Sequence, residues 1–150
     1  MTVDDLLARE GVRHTLHAYN MAGDRARVDD FVAVFTEDAV FESDGFRCVG
    51  RQAIRDWIAG FGRPAEGAAP PKRRAKFVRH NLTTSVIELT GPETATARTY
   101  YMVITDTGPD HSGYYVDGFR KVGERWLIAE RKVRVDWRSP DSAMAPAPAA

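Results

Sequence analysis

Cysteine is almost absent: Cys48 is the only one in 150 residues. No disulfide can form within the chain, and no cysteine-based metal site is implied. Long apolar runs are missing as well, and no stretch approaches the roughly 20 residues of a membrane helix. Asp4, Asp5, Arg9 and Glu10 interrupt the apolar continuity that a signal peptide would need, so a cytoplasmic location is expected. Charge of one sign is also lacking, with 21 Lys plus Arg against 21 Asp plus Glu. A nucleic-acid or anionic-membrane surface needs a net basic patch, and neither partner is expected. The short basic run Lys72, Arg73, Arg74 and Lys76 reads as a solvated loop entering a strand. No internal repeat is present.

What is there is ordinary globular material, 43% hydrophobic and 28% charged. The length suits one domain that buries well over half of its extended surface. Asp4 to Met21 reads as a helix, with Leu6, Leu7, Val12, Leu16 and Tyr19 on one stripe and Thr2 or Asp4 as cap. Gly23 is expected to end it in a left-handed conformation, and Asp24 to cap a short second helix over Arg27 to Phe35. Ala39 to Glu42 and Phe46 to Val49 alternate around Ser43-Asp44-Gly45, a hairpin signal. A third helix follows Gly50, with Ile54, Trp57, Ile58 and Phe61 as its apolar face. Gly62 to Pro71, rich in Gly and Pro, is expected to be a loop.

The period then changes. Lys76 to Leu89, Thr94 to Thr105, Gly113 to Val122 and Arg125 to Trp137 read as four long strands rich in Val, Ile, Thr, Tyr and Phe. Gly91-Pro92, Gly108-Pro109-Asp110 and Gly123-Glu124 separate them, each short enough to join antiparallel neighbours. Ser139 to Ala150 is Pro/Ala-rich and is expected to be a disordered tail, leaving residues 1–138 as the domain. Helices followed by a strand meander make an α+β domain. Strands this long must coil, so one sheet face becomes concave and partly covered by helices, the setting of a ligand pocket.

Turn positions predict which side chains share that face. Centring the turns on the Gly-containing pairs places His80 opposite Val103, Leu82 opposite Tyr101, Val103 near Tyr115, Tyr101 near Asp117, and Asp117 opposite Arg131. One face then carries an imidazole, two phenols and a carboxylate–guanidinium pair. Taken singly, most of these residues have plain roles. Opposite charges across strands stabilise sheets, a strand histidine is more often structural than catalytic, and Tyr19 continues the buried stripe of its helix. His14 and His17 read as helix-surface residues without a third metal ligand, and His111 as an exposed turn residue.

Taken together, the motifs resemble the SnoaL-like branch of the nuclear transport factor 2-like superfamily over about Val3 to Trp137. The marks are Tyr19-Asn-Met-Ala-Gly-Asp24, Phe35-Thr-Glu-Asp-Ala-Val-Phe41, Gly50-Arg-Gln-Ala-Ile54 and Arg79-His80-Asn81-Leu82. Gly113-Tyr-Tyr115-Val-Asp117 and Trp126-Leu-Ile128-Ala-Glu-Arg131 complete them. The resemblance implies a cone-shaped α+β barrel with three N-terminal helices on a curved antiparallel sheet. Tyr19, Asp24 and His80 match the Tyr–Asp–His positions of dehydratase-type members such as scytalone dehydratase and bile acid 7α-dehydratase. There a histidine base, an orienting aspartate and a tyrosine donor perform elimination with no metal or cofactor. The second strand histidine of scytalone dehydratase has no evident counterpart, because Val103, Tyr101 or Tyr115 fills that region.

The function implied is a cofactor-independent lyase or isomerase acting on a hydrophobic oxygenated ring compound, such as a steroid, terpenoid or polyketide. Phe41, Trp57, Phe61, Leu82, Tyr101, Val103, Tyr115, Asp117 and Arg131 would line its site. A polyketide cyclase using Asp24 or His80 as base, and a non-catalytic binding or scaffold protein, are the alternatives. The β subunit of a ring-hydroxylating dioxygenase is a further structural alternative. Apolar and Thr side chains on the outer sheet face suggest a homodimer formed through the sheet.

Overall fold

In the computed structural model, residues 1–61 and 74–144 are described. The order is α1 (Val3–Asp24), α2 (Val28–Val32), β1 (Phe35–Ser43), β2 (Phe46–Val49), α3 (Arg51–Gly60), β3 (Val78–Gly91), β4 (Thr94–Thr105), β5 (Gly108–Val122) and β6 (Arg125–Arg138). The expected Gly62–Pro71 loop lies outside the described residues. The strands form one sheet in the order β2-β1-β6-β5-β4-β3. All neighbours are antiparallel except β1 and β6, which run parallel and join the first strand to the last. The sheet curves around α1 without closing, and β2 and β3 are its edges.

Local chemistry explains α1. Thr2 and Asp5 cap it reciprocally, the Thr2 hydroxyl accepting from the Asp5 N–H while the Asp5 carboxylate accepts from the Thr2 N–H. Val12, Leu16 and Tyr19 form its buried stripe, but Leu6 and Leu7, expected on that stripe, are exposed. In the first turns it is Ala8 that packs on the core and Arg9 that bonds the Ile87 carbonyl of β3, which turns Leu6 and Leu7 toward solvent. Gly11 allows close approach, since a Cβ there would sit 2.5 Å from Trp126 Cδ1. Thr15 Oγ1 fixes the crossing by donating to the Trp126 carbonyl.

Two expectations at the end of this helix are corrected. Gly23 does not terminate it; the helix continues to Asp24, and Ala26 takes the left-handed conformation at φ 53°. Asp24 does not cap α2, whose N-terminal cap is Arg27 without a side-chain hydrogen bond. The Asp24 carboxylate is engaged elsewhere.

Along β4, burial alternates without a break: Ala95, Ala97, Thr99, Tyr101, Val103 and Thr105 face inward. His80 lies opposite Val103, Leu82 opposite Tyr101 and Asp117 opposite Arg131 as expected, but the β3–β4 turn is Pro92-Glu93, and bulges between Leu89 and Gly91, between Leu82 and Ser85 and between Gly118 and Phe119 shift the registers on the way to these pairs. The β4–β5 register differs. Its turn is Asp106-Thr107, so Val103 faces His111 rather than Tyr115, a displacement of four residues. The Gly108-Pro109 signal belongs to the start of a strand, with Gly108 at φ 107° just after the turn. An even displacement leaves every side chain on its predicted face, but changes which ones meet.

The core runs from Val12, Leu16 and Tyr19 through Phe31, Phe35 and Phe41 to Tyr101, Tyr115, Phe119 and Trp126. Residues 139–144, expected to open the disordered tail, instead turn back over β5, with the Ser139 N–H on the Asp110 carbonyl. The remainder of the predicted tail, 145–150, lies outside the described residues.

Candidate active site

β3 is an edge strand, and an edge strand leaves backbone donors unpaired. One of these belongs to His80, and the last residue of α1 meets it. Asp24 Oδ2 accepts the His80 backbone N–H at 3.0 Å, while Oδ1 lies 2.6 Å from His80 Nδ1. Both carboxylate oxygens thus grip one residue. The contact fixes the ring, places the neutral imidazole's proton on Nδ1 and leaves Nε2 for another partner. The Asp24 side chain is 8% exposed and that of His80 is 20%.

The His80 ring lies 6.2 Å from Tyr101 and 6.3 Å from His111, centroid to centroid. His111 was expected in an exposed turn. It is 7% exposed and lies within β5, so a second strand histidine stands beside His80, where the sequence reading placed Val103, Tyr101 or Tyr115. The signal that could have found it is the Asp106-Thr107 turn, which puts His111 opposite Val103. His111 Nδ1 lies 2.9 Å from Asp110 Oδ2, so a second carboxylate–imidazole pair stands beside the first. Burial holds His111 below its ordinary pKa, against the hydrogen bond it donates to Asp110, and a charge on His80 acts in the same direction as burial. Asp110 is held below the usual carboxylate range: burial opposes this, but hydrogen bonds from Ser142, His111 and the Ala143 N–H outweigh it.

From the histidines a row of polar rings leads inward. Tyr101 stacks on Tyr115 at 4.7 Å, and its hydroxyl donates to the Arg134 carbonyl. Gly113 makes room for this contact, because a Cβ there would collide with that carbonyl oxygen. The Tyr115 hydroxyl donates to Asn20 Oδ1 at 3.1 Å. Arg131, fully buried, lies between the Tyr19 and Tyr115 rings at 4.0 and 4.1 Å and donates twice to Asp117, at 2.8 and 2.7 Å. Burial disfavours the Arg131 charge, but Asp117 more than compensates and raises its pKa. Burial also pushes the Asp117 carboxyl up, against the pull of Arg131.

The structure therefore brings Asp24 and His80 into direct contact and puts Leu82, Tyr101 and Val103 beside them on the sheet. Tyr19 stands apart, in ring contact with Phe31, Phe35, Phe41 and Tyr115. Burial pushes its phenol up to about 12, so it stays a protonated donor. Trp57 lies across Phe41 at 5.0 Å, while Phe61 is 52% exposed and touches Trp57 from outside. Tyr101, Tyr115, Asp117 and Arg131 fill the centre of the inner face, none more than 3% exposed, so His80 is where the row meets solvent. A concavity of about 540 Å³ lies on the outer face, bordered by Val86, Arg98, Tyr100, Val116, Glu130 and Lys132. Among the described residues, no cluster of three or more His, Cys, Asp or Glu is placed to hold a metal, and no helix is long and apolar enough to cross a membrane.

A curved sheet over a long first helix is the nuclear transport factor 2-like, cystatin-like fold. The SnoaL-like domain matches residues 4–132, and the chain belongs to that family. No curated protein matches the sequence. Similar solved structures include a candidate scytalone dehydratase from Novosphingobium aromaticivorans, at 21% identity and TM-score 0.76, covering 100% of this chain and 99% of that one. Hexachlorocyclohexane dehydrochlorinase from Novosphingobium barchaimii is 12% identical at TM-score 0.73, covering 92% of each chain. The β subunit of a candidate aromatic-ring-hydroxylating dioxygenase from N. aromaticivorans is 18% identical at TM-score 0.72, covering 95% of this chain and 98% of that one. At these identities the likeness is one of fold, and this fold carries several activities.

Proposed function

We propose that the protein is a cofactor-independent acid–base lyase or isomerase, acting on a hydrophobic oxygenated ring compound that reaches His80 from the open end of the sheet. The observation that carries this reading is the two-point grip of Asp24 on His80, which orients the imidazole and would stabilise the imidazolium formed when Nε2 takes a proton. In a dehydration, Nε2 removes the proton alpha to a carbonyl. The C–H electron pair forms the new double bond as the beta hydroxyl departs, and that hydroxyl leaves as water with the proton returned by the imidazolium. Tyr19, as a protonated phenol, would donate to the carbonyl oxygen where charge develops. Phe41, Trp57 and Leu82 would provide apolar wall. Fold neighbours that include a candidate dehydratase and a dehydrochlorinase support an elimination.

The test is a panel of hydroxylated steroid, terpenoid and polyketide ketones incubated in deuterated water, with mass spectrometry following loss of water and deuterium uptake. His80→Ala should lower turnover of an accepted compound by about 10²–10⁴-fold with the fold intact; near-normal turnover would sink the assignment.

We further propose that the outer sheet face pairs with a second copy of the chain. Val86, Tyr100, Met102 and Val116 are exposed there, and the face carries Glu88 and Glu130 as well as Arg98 and Lys132. Both signs on one patch allow a two-fold partner to match each charge with its opposite. Sedimentation equilibrium should give a dimer that Val116→Arg dissociates; a monomeric wild type refutes the pairing.

A further inference from the structure

Asp110 lies at the start of β5 with its side chain wholly buried, and three donors converge on it. Oδ2 takes His111 Nδ1 at 2.9 Å and the Ser142 hydroxyl at 2.5 Å, and Oδ1 takes the Ala143 N–H at 2.7 Å. The Asp110 carbonyl accepts the Ser139 N–H at 2.8 Å. The segment that supplies these donors is itself a closed turn: the Ser142 N–H bonds the Ser139 carbonyl at 3.0 Å, and the Met144 N–H bonds Ser142 Oγ at 3.1 Å. A carboxylate held by three donors on two sides cannot rotate, and the imidazole bonded to it is fixed in turn.

We propose that the segment after β6, through Ser142 and Ala143, positions His111 as the second imidazole of the site by locking Asp110. The proposal rests on the acid–base reading above and extends the site to a part of the chain that sequence composition assigned to a tail. His80 is oriented by a helix end and its own backbone; His111 is oriented by a side chain and an N–H that arrive after the last strand. The geometry puts the neutral His111 proton on Nδ1 and leaves Nε2 as an acceptor for a substrate hydroxyl, on a ring whose centroid is 6.3 Å from that of His80. Ser142 and Ala143 are positioning residues, since they act only through Asp110.

Among the described residues, the charged and titratable groups around His111 are Asp110 beside it, His80 on β3, Tyr101 on β4 and Arg138 opposite it on β6. Ser142 and Ala143 hold the Asp110 carboxylate toward Nδ1. Without them the carboxylate can turn, and the Nδ1–H tautomer loses its fixed acceptor.

The experiment is a nitrogen-15 NMR titration of the histidine side chains in wild type, Ser142→Ala, Ser142→Thr and a chain ending at Arg138. In wild type the Nδ1–H form should dominate. In Ser142→Ala and the truncated chain the Nε2–H form should appear at high pH, with Ser142→Thr restoring the wild-type spectrum. Should the truncated chain fail to fold, the Ser142 pair decides alone. A Ser142→Ala protein that keeps the wild-type tautomer overturns the positioning role, whether or not it melts earlier. These spectra need no turnover, so a failed substrate screen bears on the function and leaves this result standing.

Discussion

Replacing Asp117 with Asn removes a charge and almost no volume from the most buried ion pair in the fold. Arg131 is 0% exposed, and both its hydrogen bonds at 2.8 and 2.7 Å go to Asp117. A guanidinium cannot discharge itself, because its pKa lies far above any working pH. The variant must therefore hold an uncompensated cation in a dry interior. Breaking a buried pair in this way costs about 3–5 kcal/mol. The Tyr19 and Tyr115 rings at 4.0 and 4.1 Å return part of that through cation–π attraction, about 0.5–2 kcal/mol each, but they do so equally in the wild type and cancel from the difference. The expected loss is thus about 3–5 kcal/mol, or a Tm lower by about 6–20 °C for a chain of this size. Urea unfolding followed by circular dichroism measures it. Arg131→Met behaves differently, since the Asp117 left behind can take a proton. Its folded pKa then lies above its unfolded value, so the folded state binds more protons and stability falls as pH rises. That variant should regain stability on going from about pH 7 to pH 5, which Asp117→Asn should not. The double variant Asp117→Leu with Arg131→Met should return to within about 2 kcal/mol of wild type. An Asp117→Asn protein within about 1 kcal/mol of wild type would refute the reasoning.

Gly113→Ala should fail to accumulate as folded protein, or lose about 3 kcal/mol or more, because its Cβ meets the Arg134 carbonyl in a sheet that cannot move aside; thermal melts decide. His111 gives the fold an acid sensitivity: its folded pKa is lowered from the ordinary 6.5, so the unfolded chain binds its proton first. Stability should fall as pH drops below about 6.5, and His111→Asn should flatten that part of the urea-midpoint profile.

The α+β class, the three helices and the hairpins could be read from the sequence because each rests on a local signal: a change of hydrophobic period, a capping box, glycine at a turn. The opposition of Asp117 and Arg131 and that of His80 and Val103 could be read as residue pairs, though the turns alone do not bring them together: bulges between Gly118 and Phe119, between Leu82 and Ser85 and between Leu89 and Gly91 complete the register. His111 could not, because Gly108-Pro109 outweighs Asp106-Thr107 in any propensity argument while the chain turns at the latter. The role of Asp24 was hidden by its position. A carboxylate after a helical glycine has the sequence of a cap, and only the approach of the β3 edge supplies the backbone N–H that draws it away. The docking of residues 139–144 carries no periodicity, and it depends on an acceptor, Asp110, some thirty positions earlier in the chain.

The parallel pairing of β1 with β6 sets the order in which the molecule can be completed. Phe41 lies beside Arg131, so a strand made before the β3–β6 meander waits for the meander's last strand before its open edge is covered. Helices and the β1–β2 hairpin can form as they are made, and α1 can meet β3 through Asp24 and His80, but β1 has no sheet partner in the meander until β6 is made. Loop closure over that span is slow relative to local contacts. From the making of β1 until that of β6, then, the chain carries a sticky strand edge, and that interval is when a chaperone has the most to offer it.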